Sequence, residues 1–172
     1  MEISINEIIR NRRSSRKYID HIISDRDIEE ILYAGILAPS GKNRKPWRFI
    51  IVKDKIVIKA ISKSVKYSRF VRNVPLLILV YAIERSSYSF EKDLLSIGAC
   101  LENIQLSATA NNYGSCIIGE LFDKQDEVNK YINLDTNSIR LICGIAIGKN
   151  EHEINNKNNM KYDLNDYLLG II

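Results

Sequence analysis

The chain has 172 residues, 25 Lys and Arg against 21 Asp and Glu, a net charge of +4, and 45% hydrophobic residues. That length suits one domain, residues 1–172, with a sizeable core. The composition excludes a disordered chain, and the charge is too low for a dedicated nucleic-acid binder.

Ser4 and Glu7 form a capping box ahead of Ile5, Ile8 and Ile9, which predicts a helix from about residue 5. That helix delivers its C-terminal end to Arg12, Arg13, Ser14 and Arg16. Guanidinium forks and a hydroxyl packed this closely suit a phosphate or another multiply oxygenated anion. A solvated basic patch or a nucleic-acid arm is the alternative reading of the same residues. A second helix starts at Ser24–Asp27, carries Ile28, Ile31, Leu32 and Gly35 at helical spacing, and is ended by Pro39. The polar loop 39–46 comes next, closed by Trp47, the only Trp in the chain.

Trp47 to Val52 is aromatic and β-branched, which predicts a buried strand. A helix is expected from Asp54 to about Val65, and a central strand over Pro75–Ile83. That apolar run is less than half the ~20 residues of a membrane-spanning helix. From about Phe90 to Asn112 a long helix is expected, apolar on so many sides that it must be buried on more than one, within the domain or against a second subunit. Gly114 is its expected stop. Beyond it, Ser115–Ile118 predicts a strand, Asp123–Ile132 a capped helix, and Ser138–Gly148 a strand with Ile139, Leu141, Cys143, Ile145 and Ile147 at alternate positions. Helices on both faces of a sheet result. After a polar stretch, Asn150–Asn159, the chain ends on an apolar Tyr167–Ile172, which needs a surface to cover.

Several chemistries are absent. Gly114 and Gly119 have P-loop spacing, but Glu120 stands where the Lys would be; no GxGxxG, HExxH or GxSxG occurs. Cys100, Cys116 and Cys143 are widely spaced in apolar segments, and His21 and His152 lack ligand-spaced neighbours, so no metal site is expected. The carboxylates fall mainly in helix starts, where the helix dipole favours them without catalysis. The start, Met1–Glu7, has neither part of a signal peptide, so a cytoplasmic location is expected. With no protein nucleophile in view, the reactive group of an enzyme here would belong to a bound cofactor.

Arg12-Arg13-Ser14-Ser15-Arg16-Lys17-Tyr18, then Ala38-Pro39-Ser40-Gly41-Lys42-Asn43-Arg44-Lys45-Pro46-Trp47, then Gly98–Asn103 and Gly114-Ser115-Cys116-Ile117-Ile118-Gly119, resemble the nitroreductase family in order and spacing over nearly the whole chain. The resemblance implies an α+β fold: a nitroreductase-like central mixed, mostly antiparallel sheet flanked by helices, in an intertwined homodimer. It also implies FMN between the subunits and NADH or NADPH as co-substrate. Carried over by position, Arg12, Arg13, Ser14 and Arg16 would grip the phosphate, ribityl chain and pyrimidine edge. Pro39, Ser40, Gly41 and Asn43 would approach the ring from the other subunit, backbone groups at Ile118, Gly119 and Glu120 would face its N5 side, and Lys161 would complete the phosphate site.

The activity implied by the resemblance is that of a ping-pong oxidoreductase acting on flat, electron-poor small molecules such as nitroaromatics or quinones, with no catalytic side chain, no nucleic acid and no membrane partner. A flavin-binding electron carrier, or a flavoenzyme of the same fold that performs dehalogenation or flavin breakdown, are the alternatives. Lys45 departs from the usual Gln before the Pro-Trp pair and adds positive charge. Asn159 and Met160 stand where an Arg is often found, and little room exists for a lid between the Pro75 strand and the long helix.

Overall fold

The computed structural model describes residues 4–66, 68–84, 89–133, 138–151, 163 and 166–169. In chain order it contains α1 (Ile5–Asn11), α2 (Asp25–Ile36), β1 (Trp47–Val52), α3 (Lys55–Ile61), α4 (Ser68–Val71), β2 (Leu76–Ile83), α5 (Phe90–Ala110), β3 (Gly114–Ile118), α6 (Gln125–Ile132) and β4 (Ile139–Gly148). Short 3-10 turns occupy Gly41–Asn43, Ser62–Ser64 and Gly119–Leu121.

Side-chain oxygens start most of the helices by accepting first-turn N–H groups that have no partner within the helix. Ser4 and Glu7 form the reciprocal box expected of them, and Ser24, Asp54 and Ser89 cap α2, α3 and α5. The start expected near Asp123 behaves differently: α6 begins after Lys124, whose side chain makes no capping hydrogen bond. The end of α5 also differs from expectation. Asn112, at φ 60°, takes the left-handed turn after Ala110, and Gly114 instead opens β3 with no positive φ. Asn tolerates that conformation better than most residues. Gly114 is required for packing: a Cβ there would run into the Asn150 side chain and lie 2.5 Å from the Ser15 hydroxyl.

The strands order as β1-β2-β4-β3, with every neighbouring pair antiparallel. A parallel bridge between Ser14 and Ser115 lays the N-terminal segment outside β3. Two apolar layers sandwich the sheet. On one face Ile31 of α2 and Ile97 and Ile104 of α5 pack on Ile78, Val80 and Ile145. On the other, Ile58 and Ile61 of α3 and Val128 of α6 pack on Leu77, Leu79 and Tyr81. β2 therefore reads as one continuous apolar run because it is buried on both faces.

β4 breaks its expected alternation. The register slips between Val80 and Tyr81, leaving Ile142 as the extra residue of a bulge. Cys143, Ile145 and Ile147 face the α2–α5 layer, while Leu141 and Ile139 are turned to the α3–α6 layer. Burial pushes the Cys100 and Cys143 thiols up to about 12, so they act as inert core residues.

Not all apolar surface is used. α1 buries no residue, leaving Ile5 60% and Ile9 50% exposed, and Leu95 on α5 is 77% exposed next to an uncovered Gly98. The long helix is thus buried on the sheet and α2 sides but open on another. No helix among the described residues is long and apolar enough to cross a membrane.

Candidate functional site

β3 is an edge strand, and hydrogen bonds align the arginine segment along it. The Ser15 N–H donates to the Ser115 carbonyl at 2.9 Å. Beneath this contact the buried Gln105 amide of α5 donates to the Ser115 hydroxyl at 3.2 Å, so the long helix fixes the strand and the strand fixes the segment. Further along, the Tyr18 hydroxyl donates back to the Ser15 carbonyl at 2.5 Å and the Ile19 N–H to the Lys149 carbonyl at 3.0 Å. Burial raises the Tyr18 phenol well above its ordinary range, which keeps it a neutral donor.

Arg12, Ser14 and Arg16 gather at this edge, while the Arg13 guanidinium turns back to α1. Arg13 donates to the carbonyls of Arg10 and Arg12 at 2.6 and 2.8 Å, closing the C-terminal end of α1. Arg12 lies 3.7 Å from the Glu102 carboxylate of α5, a partly exposed pair worth little in stability but able to orient the guanidinium. Around Cys116, burial raises the thiol while Arg16, Arg12 and the Ser14 hydroxyl pull it down, which places all three side chains about one residue of β3. Among the described residues no cluster of His, Cys, Asp and Glu could hold a metal.

At the far end of β3, about 10 Å from Ser115 at ~3.4 Å per residue, Ile118 is buried and the chain turns through Gly119–Leu121. A Cβ on Gly119 would meet no atom within 4 Å, so the turn's backbone is open to close approach. The Glu120 carboxylate is directed elsewhere: it accepts the Lys66 N–H at 2.8 Å. A groove of about 840 Å³ adjoins the arginine segment, and its described lining includes Arg16, Lys17 and Tyr18 together with Lys66, Arg69 and Phe70.

The loop before β1 is built differently. Lys42, Asn43 and Lys45 all have positive φ, at 54°, 53° and 49°. Two left-handed lysines in one short loop are uncommon, and such strain concentrates at ligand-contacting segments. The loop is held by the Ser40 hydroxyl, which accepts the Lys45 N–H at 3.0 Å, and by the Gly41 N–H, which donates to Ser96 on α5 at 3.4 Å. Pro39 and Asn43 are left exposed. Strand order puts this loop at the β1 edge and the arginines at the β3 edge, three strand spacings or roughly 14 Å apart. Within one chain they do not meet.

The sequence matches the nitroreductase family over residues 9–68 and 59–149. The chain belongs to that family. A candidate NADH dehydrogenase/NAD(P)H nitroreductase of Archaeoglobus fulgidus is 39% identical over 114 residues, 66% of either chain. A similarly named protein of Methanothermobacter thermautotrophicus is 33% identical over 41% of its own length, so the chain spans at most about two thirds of these curated relatives. Among solved structures, a candidate nitroreductase from Desulfovibrio desulfuricans in complex with FMN superposes with a TM-score of 0.89 at 30% identity, covering 100% of this chain and 99% of that one. A candidate NADH oxidase from Clostridium acetobutylicum gives 0.82 at 29% identity, over 96% and 99%.

In this nitroreductase-family chain, then, the structure brings Arg12, Ser14, Arg16, Ile118, Gly119 and Glu120 to one strand edge, leaves the Arg13 guanidinium on the α1 carbonyls, and holds Pro39, Ser40, Gly41 and Asn43 at the other edge. Lys161 lies outside the described residues. Sequence reasoning missed Lys66, Arg69 and the short helix α4 that carries Arg69. A basic pair at i and i+3 beside Phe70 was the available signal, but a four-residue helix has no periodicity to reveal it.

Proposed function

We propose that the chain is a cytoplasmic, homodimeric, FMN-dependent oxidoreductase that takes reducing equivalents from NADH or NADPH and passes them to a flat, electron-poor acceptor in a ping-pong cycle. One observation supports the reading: the Arg12 and Arg16 guanidiniums and the Ser14 hydroxyl are held about Cys116 of β3, the strand that leads into an unobstructed glycine turn. The donor set fits a flavin mononucleotide, since it offers charge-assisted hydrogen bonds for a phosphate and open backbone for a ring.

When bound, FMN would supply hydride acceptance from the nicotinamide and its delivery to a nitroaromatic or quinone. The protein supplies placement and charge. Arg12, Arg13 and Ser14 bind the phosphate and ribityl hydroxyls, with Lys161 joining them, and Arg16 offers positive charge to the electron-rich edge of the ring, which eases its reduction. Ile118, Gly119 and Glu120 present backbone to the ring. Pro39, Ser40, Gly41 and Asn43 come from a second copy, because one chain keeps them at the wrong edge. The open faces of α1 and α5, with Ile5, Ile9 and Leu95, are available to bury against that copy.

The test is a flavin titration and then anaerobic addition of NADH and of NADPH. Bleaching of bound FMN by a nucleotide, and its recovery on adding a quinone, is expected. Arg12→Ala/Arg13→Ala is expected to emerge colourless, and full flavin occupancy in that variant overturns the assignment. Bound flavin that neither nucleotide bleaches points to an electron carrier instead.

A further inference from the structure

The groove beside the arginine segment holds more charge than a mononucleotide phosphate at Arg12 and Arg13 explains. Its volume of about 840 Å³ lies toward the upper end of the roughly 300–1,000 Å³ typical of small-molecule sites. Among its described lining residues Arg16, Lys17, Lys66 and Arg69 are basic and Glu151 is the one carboxylate. None of the four basic residues belongs to the ion pairs of the described residues. Tyr18 and Phe70 add half-buried aromatic surface between them. The Lys66 wall is anchored, because its backbone N–H is held by Glu120, and the Arg69 turn is braced by Asn73, whose amide donates to the Arg69 carbonyl at 3.0 Å. Aromatic surface beside four basic side chains suits a flat ligand that carries a negative group.

We infer that Lys66 and Arg69 bind the anionic group of the second ligand, a phosphate, carboxylate or sulfonate on the molecule that exchanges electrons with the flavin. The inference rests on the FMN reading and adds a ligand class to it: electron donors or acceptors bearing negative charge are favoured over neutral ones of similar potential. The anion has two sources, the pyrophosphate of the nicotinamide dinucleotide or an acid group on the acceptor.

The experiment compares the full chain with Lys66→Ala/Arg69→Ala, both saturated with FMN. Inorganic pyrophosphate binding is measured by calorimetry, and half-saturating concentrations are taken from the separate reductive and oxidative half-reactions. NADH serves as donor, and anthraquinone-2-sulfonate and the neutral 2-methyl-1,4-naphthoquinone serve as acceptors. Loss of two charge-assisted contacts is expected to weaken pyrophosphate about tenfold or more. A matching rise for NADH identifies the dinucleotide as the source; a fall in the preference for the sulfonate over the neutral quinone identifies the acceptor. Lys66→Arg/Arg69→Lys, which keeps both charges, is expected to restore binding and so separates charge from folding.

Unchanged pyrophosphate affinity, or a tenfold loss of FMN affinity in the Ala variant, overturns the inference; the latter assigns the groove to the mononucleotide itself. Should the chain take up no FMN yet bind pyrophosphate through Lys66 and Arg69, the flavin reading fails and the anion site stands.

Discussion

The Glu120 carboxylate accepts the Lys66 backbone N–H at 2.8 Å across 54 residues of sequence, so the turn after β3 and the segment entering α4 hold each other. Glu120→Ala removes the acceptor and is expected to cost about 1 kcal/mol in urea unfolding. Glu120→Gln keeps an acceptor oxygen and is expected to retain most of that stability. Equal losses in the two variants would show that the charge, and not the hydrogen bond, sustains the tie.

Two glycines near the site separate packing from ligand access. Gly114→Ala forces a Cβ against Asn150 and Ser15 and is expected to destabilise the flavin-free protein by roughly 1–3 kcal/mol, the usual cost of overpacking. Gly119→Ala meets nothing within the chain and has no positive φ to violate, so the flavin-free protein is expected to melt as wild type while FMN affinity falls. Comparing thermal melts with flavin titrations checks both. A destabilised Gly119→Ala, or one with wild-type flavin affinity, contradicts the open-cradle reading.

Tyr113 and Asp27 give the fold a pH signature. The Tyr113 hydroxyl donates to Asp27 at 2.7 Å, joining the start of α2 to the entry of β3. Burial, and then the Asp27 hydrogen bond and charge, push the phenol up to about 12 from 10.0, while Tyr113 and Ser24 hold Asp27 below its ordinary range. A raised phenol contributes stability that is present below pH 10 and is lost as pH climbs toward 12. The depressed carboxylate contributes stability above its ordinary pKa, lost as pH falls below it. Tyr113→Phe is expected to flatten the alkaline fall in urea midpoint and to lessen the acid one. A wild-type alkaline slope in that variant would show that Tyr113 is not its source.

Much of this was legible in the sequence because it is written locally. Ser4 with Glu7, the β-branched run from Trp47 to Val52 and the apolar run before Ile83 each specify an element through short-range chemistry, and the structure has all three, although β1 lies at the sheet edge with Arg48 and Ile51 exposed and is not the buried strand expected. The features that were not legible depend on partners far along the chain. The bulge at Ile142 arises from pairing with β2, so alternation alone placed Leu141 on the wrong face. Asn112 took the turn expected of Gly114 because Gly114 is needed against Asn150 and Ser15. The groove is not written locally, because Lys66 and Arg69 join Tyr18 in one lining only in the folded chain.

The proposed function requires the arginine cluster of one copy and the Pro39–Asn43 loop of another to close around the same ligand. Two variants are made separately, Arg12→Ala/Arg13→Ala and Ser40→Ala/Asn43→Ala, each expected to be nearly inactive, then unfolded together and refolded as a mixture. Shared sites predict hybrids with one wholly intact site each, so that about a quarter of wild-type NAD(P)H–quinone activity returns on random pairing. A mixture no more active than its two components would contradict the account.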